Sequence, residues 1–152
     1  MITWNVETDW RAPLEEMKKL FPAHWRELAL NQEEVPLDPL WEVYEARAKA
    51  GEMLLVTGRD RGELIAYFVG FVAPGLHYRT CLTLTMDIFY VKPERRRGLT
   101  GLNLFREVEQ EARRRGVKRF FMGSKLAHDA SALFRRIGAR PVETYWSLWL
   151  GD

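Results

Sequence analysis

A basic turn between an apolar segment and an amphipathic segment is the part of the chain best suited to chemistry. Residues 95–101 read RRRGLTG and follow an apolar segment that ends at Val91. A helix that begins in such a turn presents backbone N–H groups without internal partners, and the positive end of its dipole favours anions. The sequence therefore predicts that Arg95–Gly101 holds a phosphate-bearing cofactor.

The charge distribution agrees with an anionic ligand in the second half of the chain. Residues 1–91 contain 9 basic and 14 acidic residues, a net charge of −5, and residues 92–152 contain 14 and 7, a net charge of +7. The basic half suits an anionic cofactor, and the acidic half suits a cationic substrate. Ordinary solvation of helix faces explains the same charges equally well.

Several other classes of function lack their characteristic residues. There is no GK[ST] after a glycine and no GxGxxG, which disfavours nucleotide hydrolysis and dinucleotide redox chemistry. The arginine clusters fall mostly near predicted helix ends, and no zinc spacing or nucleic-acid-binding signature accompanies them. We therefore expect no metal site, and nucleic acid is disfavoured as a partner.

Length and composition predict one globular domain spanning residues 1–152. Of these residues 47% are apolar and 29% are charged, which is typical of a soluble protein. The apolar runs are too short to cross a membrane, and the first residues do not resemble a signal peptide. The single cysteine, Cys81, fits a reducing compartment, so we expect a cytoplasmic protein without membrane association.

Hydrophobic periodicity and Gly/Pro positions predict a mixed α/β protein with a central sheet. The predicted helices are Ala12–Leu20, His24–Leu30, Asp38–Ala50, Leu102–Arg115 and a short one capped by Asp129; the predicted strands are Met53–Thr57, Glu63–Val72, Cys81–Val91, Val117–Met122 and Val142–Leu150.

Three segments resemble the GCN5-related N-acetyltransferase (GNAT) family. DIFYVKPERRRGLTGLNLF is similar to its strand, pyrophosphate loop and helix, ALFRRIGARPVE to its short helix, and VETYWSLWL to its last strand. The pieces HY, RRG and SKL also look like a subgroup encoded by phages and prophages. The resemblance implies an acyl-CoA N-acyltransferase fold, with a mixed central sheet splayed in the middle and flanked by helices. It also implies acetyl-CoA or another acyl-CoA as cofactor, and it leaves a homodimer open.

The resemblance places the cofactor along the third predicted strand and the basic turn. It implies that the pantetheine pairs with the backbone of Phe89, Tyr90 and Val91, and that the pyrophosphate binds main-chain N–H groups of the loop, whose usual pattern is Gln/Arg-x-x-Gly-x-Gly/Ala. Arg96 and Gly101 match the first and last positions, but Leu99 occupies the fourth; a shift by one residue aligns Gly98 and misplaces Thr100. The implied pyrophosphate residues are Arg96, Arg97, Gly98, Leu99, Thr100 and Gly101.

Acetyl transfer to an amine requires the amine to be neutral. A lysine with a pKa near 10.4 is deprotonated in only about one molecule in two thousand at neutral pH, so a general base is useful. Asp87 stands where many relatives have Glu, and its shorter side chain suggests a water relay; pairing with an arginine or capping of the backbone is an equal alternative. His77 and Tyr78 form a second candidate pair, which also fits a packing role.

The usual general acid of the family is a tyrosine in Leu-Tyr-x-x-Leu-Gly, and Phe134 replaces it here. Tyr90, Tyr145, His128 or solvent remain as proton sources, or catalysis is lost. Two hypotheses follow. One is an N-acetyltransferase that acts by direct attack in a ternary complex on a small-molecule amine or a protein or peptide amine. The other is a catalytically silent acyl-CoA-binding or assembly protein of phage origin.

Overall fold

The computed structural model describes residues 1–151 and contains a five-stranded sheet between two layers of helices. The strands are β1 (Ile2–Val6), β2 (Met53–Asp60), β3 (Glu63–Gly75), β4 (Tyr78–Val91) and β5 (Arg119–Phe121); the helices are α1 (Arg11–Leu28), α2 (Trp41–Lys49), α3 (Thr100–Arg114) and α4 (Ser131–Arg136). A short 3-10 turn, Pro93–Arg95, connects β4 to α3. No helix among residues 1–151 has the length and hydropathy required to span a membrane.

The strands lie in the order β1-β2-β3-β4-β5, and only the β4–β5 pair is parallel. The β2–β3 hairpin turns on two residues in the left-handed region, Arg61 (φ 52°) and Gly62 (φ 84°). Positive φ at both central residues matches the right-handed twist of the paired strands. The turn therefore brings the two long, buried strands into register at the centre of the sheet.

Both faces of the sheet are covered by helices, and successive residues of β2 pack alternately into the hydrophobic cores on the two faces. Leu54 and Val56 belong to the core with α3 and α4, whereas Met53 and Leu55 belong to the core with α1. This alternation explains why the central strands are almost continuously apolar in sequence. Phe105 of α3 is fully buried, so truncating its side chain to alanine should cost about 3–5 kcal/mol.

The sheet splays open between its last two strands. β5 pairs with β4 only at Thr83–Thr85, and the remainder of β4, Met86–Val91, has no strand on that side among the described residues. The predicted mixed sheet, splayed in the middle and flanked by helices, is therefore present. The opening leaves one edge of β4 accessible from a cleft.

Some element boundaries differ from the prediction. β1 was not predicted, and α1 continues through Pro22 where the sequence suggested two helices. Proline removes one hydrogen bond inside a helix, but Phe21 and His24 on either side of it are both buried, and their packing outweighs that loss.

The predicted last strand, Val142–Leu150, was wrong for this structure. That segment has no strand partner and is exposed throughout. Its strand-like composition is therefore not matched by any pairing within residues 1–151.

Candidate active site

A cleft of about 540 Å³ occupies the opening between the last two strands. Its walls are the second half of β4 (Met86–Val91), the C-terminal half of α1 and the segment before and at the start of α4. Its ionisable side chains are those of His24, Glu27, Asp87, Tyr90, Arg96, Lys125, His128 and Asp129. The cleft thus joins the two features singled out in the sequence, the strand with Asp87 and the basic turn.

Asp87 lies in a β-bulge. Val69 of β3 pairs with Ile88 and Gly70 pairs with Met86, so Asp87 is an extra residue on β4. A bulge changes which way the following side chains point. Here Asp87 reaches Tyr44 of α2 while Ile88, the next residue, also packs in the core on that face of the sheet. The bulge therefore aims a carboxylate into the cleft at the point where the sheet opens.

The carboxylate of Asp87 is partly buried and has one side-chain partner. The hydroxyl of Tyr44 donates to Oδ2 of Asp87 at 2.5 Å. Burial raises the pKa of Asp87 above its usual value, and the hydrogen bond from Tyr44 opposes this rise. Burial and the neighbouring carboxylate raise the pKa of Tyr44, so the phenol remains a donor. A carboxylate with a raised pKa is a better base near neutral pH than an exposed one.

A second buried polar pair joins His24, which lines the cleft, to the fully buried Tyr67. The Nδ1 atom of His24 lies 2.8 Å from the Tyr67 hydroxyl, and the His24 ring stacks near Tyr90 with centroids 5.0 Å apart. Burial lowers the pKa of His24 to about 4. The imidazole is therefore neutral at physiological pH and contributes hydrogen bonding and packing instead of charge.

The basic turn ends in a row of free backbone donors. Six consecutive N–H groups, those of residues 97–102, have no acceptor within residues 1–151, and no side chain caps α3. Gly98 has a φ of 95°, a conformation that favours glycine. Gly101 borders the cleft, and Leu99 is half exposed. This arrangement suits a diphosphate, because the donors and the helix dipole act together.

Two of the three arginines in the turn already have carboxylate partners. Arg96 binds both oxygens of Glu27 at 2.8 Å, and its Nε donates to the Val91 carbonyl. Arg95 pairs with Asp60 at 2.7 Å. Arg97 is exposed and has no ion pair among the described residues. Arg96 therefore ties the turn to α1 as well as facing the cleft.

The backbone of β4 offers its groups to the cleft at alternate residues. The N–H of Lys92 donates to Ile65 of β3, so the backbone groups of Tyr90 also face β3 and those of Phe89 and Val91 face the opening. The Val91 carbonyl is occupied by Arg96. Phe89 is thus the residue best placed to pair with an extended ligand. Its ring packs near Phe105, with centroids 5.0 Å apart.

The structure does not bring His77 and Tyr78 together with Asp87. They lie at the turn between β3 and β4, nine residues and roughly 30 Å along the strand from Asp87, and neither lines the cleft. Tyr78 instead lies against the guanidinium of Arg119, 4.8 Å from its ring centroid. Asp87 is therefore the one candidate base of the three that lines the cleft.

The alternative proton donors differ in whether they line the cleft. Phe134 is buried and packs near Phe105. Its side chain is therefore part of the hydrophobic core and has no group that could donate a proton. Tyr145 is exposed in the segment beyond α4 and does not line the cleft. Tyr90 and His128 both line it; Tyr90 is only 4% exposed, and His128 lies in the segment before α4.

Three residues at the site were not predicted from the sequence. They are Tyr44, His24 and Glu27, the partners of Asp87, Tyr67 and Arg96. His24 and Glu27 line the cleft, whereas Tyr44 reaches Asp87 from outside its lining. Tyr44 falls on the apolar face of its predicted helix, and a buried tyrosine usually finds a partner for its hydroxyl. That signal points to a polar contact but does not identify Asp87, which is 43 residues away.

Comparison with known proteins identifies the fold. The family model of the acetyltransferase (GNAT) family matches residues 14–139. No curated protein matches the chain. Similar solved structures include a predicted acetyltransferase with acetyl-CoA from Clostridium acetobutylicum (12% identity, TM-score 0.71, 99% of this chain and 97% of that chain). A second is an aminoglycoside acetyltransferase from an uncultured soil metagenomic sample (13% identity, TM-score 0.77, 99% of both chains).

A third similar structure is a ribosomal-protein-alanine N-acetyltransferase from Brucella melitensis biovar Abortus 2308, at 14% identity and a TM-score of 0.73, covering 99% of this chain and 100% of that chain. Sequence identities this low establish that the fold is shared, but they do not identify the acceptor substrate of this chain. The family match confirms the predicted fold and the prediction of an acyltransferase. Because the family uses acetyl-CoA, it also confirms the predicted cofactor.

Proposed function

Because the chain belongs to the acetyltransferase (GNAT) family, we propose that it transfers an acetyl group from acetyl-CoA to an amine by direct attack in a ternary complex. The observation that carries this proposal is the row of free N–H groups of residues 97–102 beside the cleft that holds Asp87. These groups would hold the pyrophosphate. The backbone of Phe89 would pair with the pantetheine and orient the thioester toward Asp87.

The acceptor amine would lose its proton to Asp87, through water because the side chain is short. The amine nitrogen would then attack the thioester carbonyl carbon and lose its second proton to solvent, and the C–S bond would break so that coenzyme A leaves as a thiolate. Phe134 cannot protonate that thiolate, so the proton comes from solvent or from His128, which lines the cleft. Raised by burial, the pKa of Asp87 suits the first step.

The acceptor itself remains a small-molecule amine or a protein or peptide amine. The aminoglycoside and ribosomal-protein relatives have different acceptors within the same fold. We retain the predicted cytoplasmic location and the resemblance to a phage-encoded subgroup as hypotheses. Half-buried Cys81 is compatible with a reducing compartment.

The first test is ligand stabilisation followed by turnover. Acetyl-CoA at a hundredfold excess over its dissociation constant should stabilise the folded chain by about 2.7 kcal/mol. For a domain of this size, that corresponds to a rise in Tm of roughly 5–11 °C. Free thiol should then accumulate when an accepted amine is added. The absence of stabilisation by acetyl-CoA, coenzyme A and a longer acyl-CoA would refute the proposal.

Two glycines at opposite ends of α3 provide a matched test of the turn. Gly98 and Gly116 both have positive φ, 95° and 82°, and a Cβ at either position would meet no atom within 4 Å. Gly98→Ala and Gly116→Ala should therefore carry a similar backbone strain of about 1 kcal/mol. Only Gly98→Ala should weaken acetyl-CoA binding, measured by calorimetry. Equal effects of the two variants would show that the turn does not bind the donor.

The silent binding protein is the second candidate, favoured by the burial of Phe134 where relatives have an acid. It predicts stabilisation by coenzyme A without thiol release across a broad panel of amines and peptides. Introducing Phe134→Tyr distinguishes the two: a silent protein gains activity, whereas an enzyme that uses solvent or His128 changes little.

A further inference from the structure

The cleft has two sides that belong to opposite faces of the sheet. The free N–H groups of residues 97–102 are at the start of α3, which packs on the face that α4 also covers. Helix α1 packs on the other face. A donor held by those N–H groups therefore leaves the α1 side of the cleft for the acceptor. We call the apolar residues on this side the α1 wall; they are Phe21, Trp25, Leu28, Ala29 and Leu37.

The α1 wall is backed by packed aromatic rings. Phe21 is 8% exposed, and its ring centroid lies 4.9 Å from that of Trp41. Trp25 is half-buried, so part of its indole ring stays open to a ligand. From β4, Met86 and Ile88 add further apolar surface to the cleft. Ligand sites are lined mainly by such side chains, with a few polar groups that orient the ligand. The α1 wall therefore fits the apolar body of a small molecule.

One carboxylate oxygen beside the α1 wall is available to an ammonium group. Three carboxylates line the cleft, those of Glu27, Asp87 and Asp129. Both oxygens of Glu27 accept from Arg96 at 2.8 Å. Asp129 belongs to the α4 side, where two serines bind it. Asp87 accepts from Tyr44 through Oδ2 alone, and its Oδ1 atom has no hydrogen-bond partner within residues 1–151. The α1 side thus offers one free carboxylate oxygen, which suits one positive charge.

The other polar groups around the cleft do not suit a second positive charge. His24 lies on the α1 side, but its Nδ1 atom is held by the Tyr67 hydroxyl and its imidazole is neutral at physiological pH. Lys125 adds a cation on the α4 side. A second ammonium group would therefore lie against apolar side chains or near a lysine. Because burial of a charge without a partner is costly, the cleft discriminates against amines that carry several charges.

On the basis of the acetyl transfer proposed for this site, we propose that the acceptor is a small primary monoamine with an apolar body. The body packs against the α1 wall, and the ammonium group lies at the Oδ1 atom of Asp87. The ammonium group gives one proton to Asp87 through water and one to solvent, the C–N bond forms, the C–S bond breaks, and the thiolate takes up one proton. The products are the N-acetyl amide, the coenzyme A thiol and one proton. Polyamines and aminoglycosides are poor acceptors, since most of their charges would lack a partner.

Three amines separate the effect of the apolar body from that of charge. Phenethylamine has one charge and a ring, ethanolamine has one charge and no apolar body, and putrescine has two charges. With the full chain and acetyl-CoA, kcat/KM for phenethylamine should exceed that for each of the others by at least about 100-fold, because the ring is buried on binding. A comparable or higher value for ethanolamine, putrescine or a peptide N-terminus overturns the proposal.

A binding measurement keeps this inference distinct from the acetyl transfer on which it rests. Calorimetry on the chain saturated with coenzyme A should show phenethylamine binding at least about 100-fold more tightly than putrescine, without any turnover. Binding with this preference and no thiol release from any amine would refute the acetyl transfer and leave the pocket assignment standing. Thiol release with an amine that fails to show this preference would refute the pocket assignment alone.

Two pairs of variants test the wall itself. Trp25→Ala should lower kcat/KM for phenethylamine at least about 10-fold more than that for ethanolamine; Trp146→Ala, at a site that is 92% exposed and outside the cleft, should not. Leu37→Asp places a second carboxylate on the wall and should raise the putrescine-to-phenethylamine ratio of kcat/KM at least about fivefold. Leu40→Asp, in the same loop but outside the cleft, should leave that ratio unchanged. Both leucines are partly exposed, at 37% and 62%, so the fold should tolerate either change. Equal effects within either pair overturn the proposal.

Discussion

The hydroxyl of Tyr44 should hold the pKa of Asp87 lower than burial alone would set it. The phenol donates to the ionised carboxylate at 2.5 Å, and a hydrogen bond to a charged group contributes about 1.5–3 kcal/mol. Tyr44→Phe removes that donor and retains the ring that packs near Trp41. Because 1.36 kcal/mol corresponds to one pKa unit, the pKa of Asp87 should rise by about 1–2 units.

Two measurements follow the same change. The ¹³C signal of the Asp87 carboxyl group reports its titration without any need for turnover. The acidic limb of the kcat/KM profile, once an accepted amine is known, should move to higher pH by the same amount. Tyr67→Phe is the control, since it removes a buried hydroxyl that binds His24 and does not touch Asp87. An unchanged or lowered Asp87 pKa in Tyr44→Phe, or an equal rise in Tyr67→Phe, would refute this reasoning.

Two further predictions concern the buried ionisable groups. Asp87→Asn should reduce turnover by at least about 100-fold while acetyl-CoA still binds. Since the folded-state pKa of Asp87 is raised, its charge destabilises the fold as pH increases, so this variant should raise Tm at pH 8 and not at pH 4; a lower Tm at pH 8 would contradict the argument. The pKa of His24 falls from 6.5 to about 4 on folding, so its contribution is complete above pH 6.5 and is lost as pH falls toward 4. That loss amounts to about 3 kcal/mol, and denaturant titrations should show it in the unchanged protein and not in His24→Gln.

The region from Asp87 to Gly101 was predictable because local rules determine it. An apolar alternating run ends at Val91, Pro93 stops it, and an amphipathic period begins after Gly98. The contact between Tyr44 and Asp87 was not predictable, because it depends on a bulge in β4 and on how α2 packs against the sheet. Pro22 was misleading for a related reason: the burial of Phe21 and His24 is a tertiary effect that overrides the local preference.

The family pattern around the turn did not indicate which partners its side chains have. Arg96 matches the expected first position, but in the structure its guanidinium binds Glu27. Phe134 occupies the position of an expected acid and lies in the core instead. Backbone geometry was therefore easier to infer than the partner of any single side chain, since partners come from distant parts of the chain.

The pairing of Arg95 with Asp60 and of Arg96 with Glu27 has a consequence for how a nucleotide donor would associate. Their positive charge is already neutralised within the protein, and Arg97 is the one arginine of the turn without an ion pair among the described residues. Fixed amide dipoles then supply most of the attraction, and dipoles at close contact are shielded by dissolved ions far less than long-range monopoles are. Added potassium chloride should accordingly change donor affinity only slightly, despite a turn that carries three arginines.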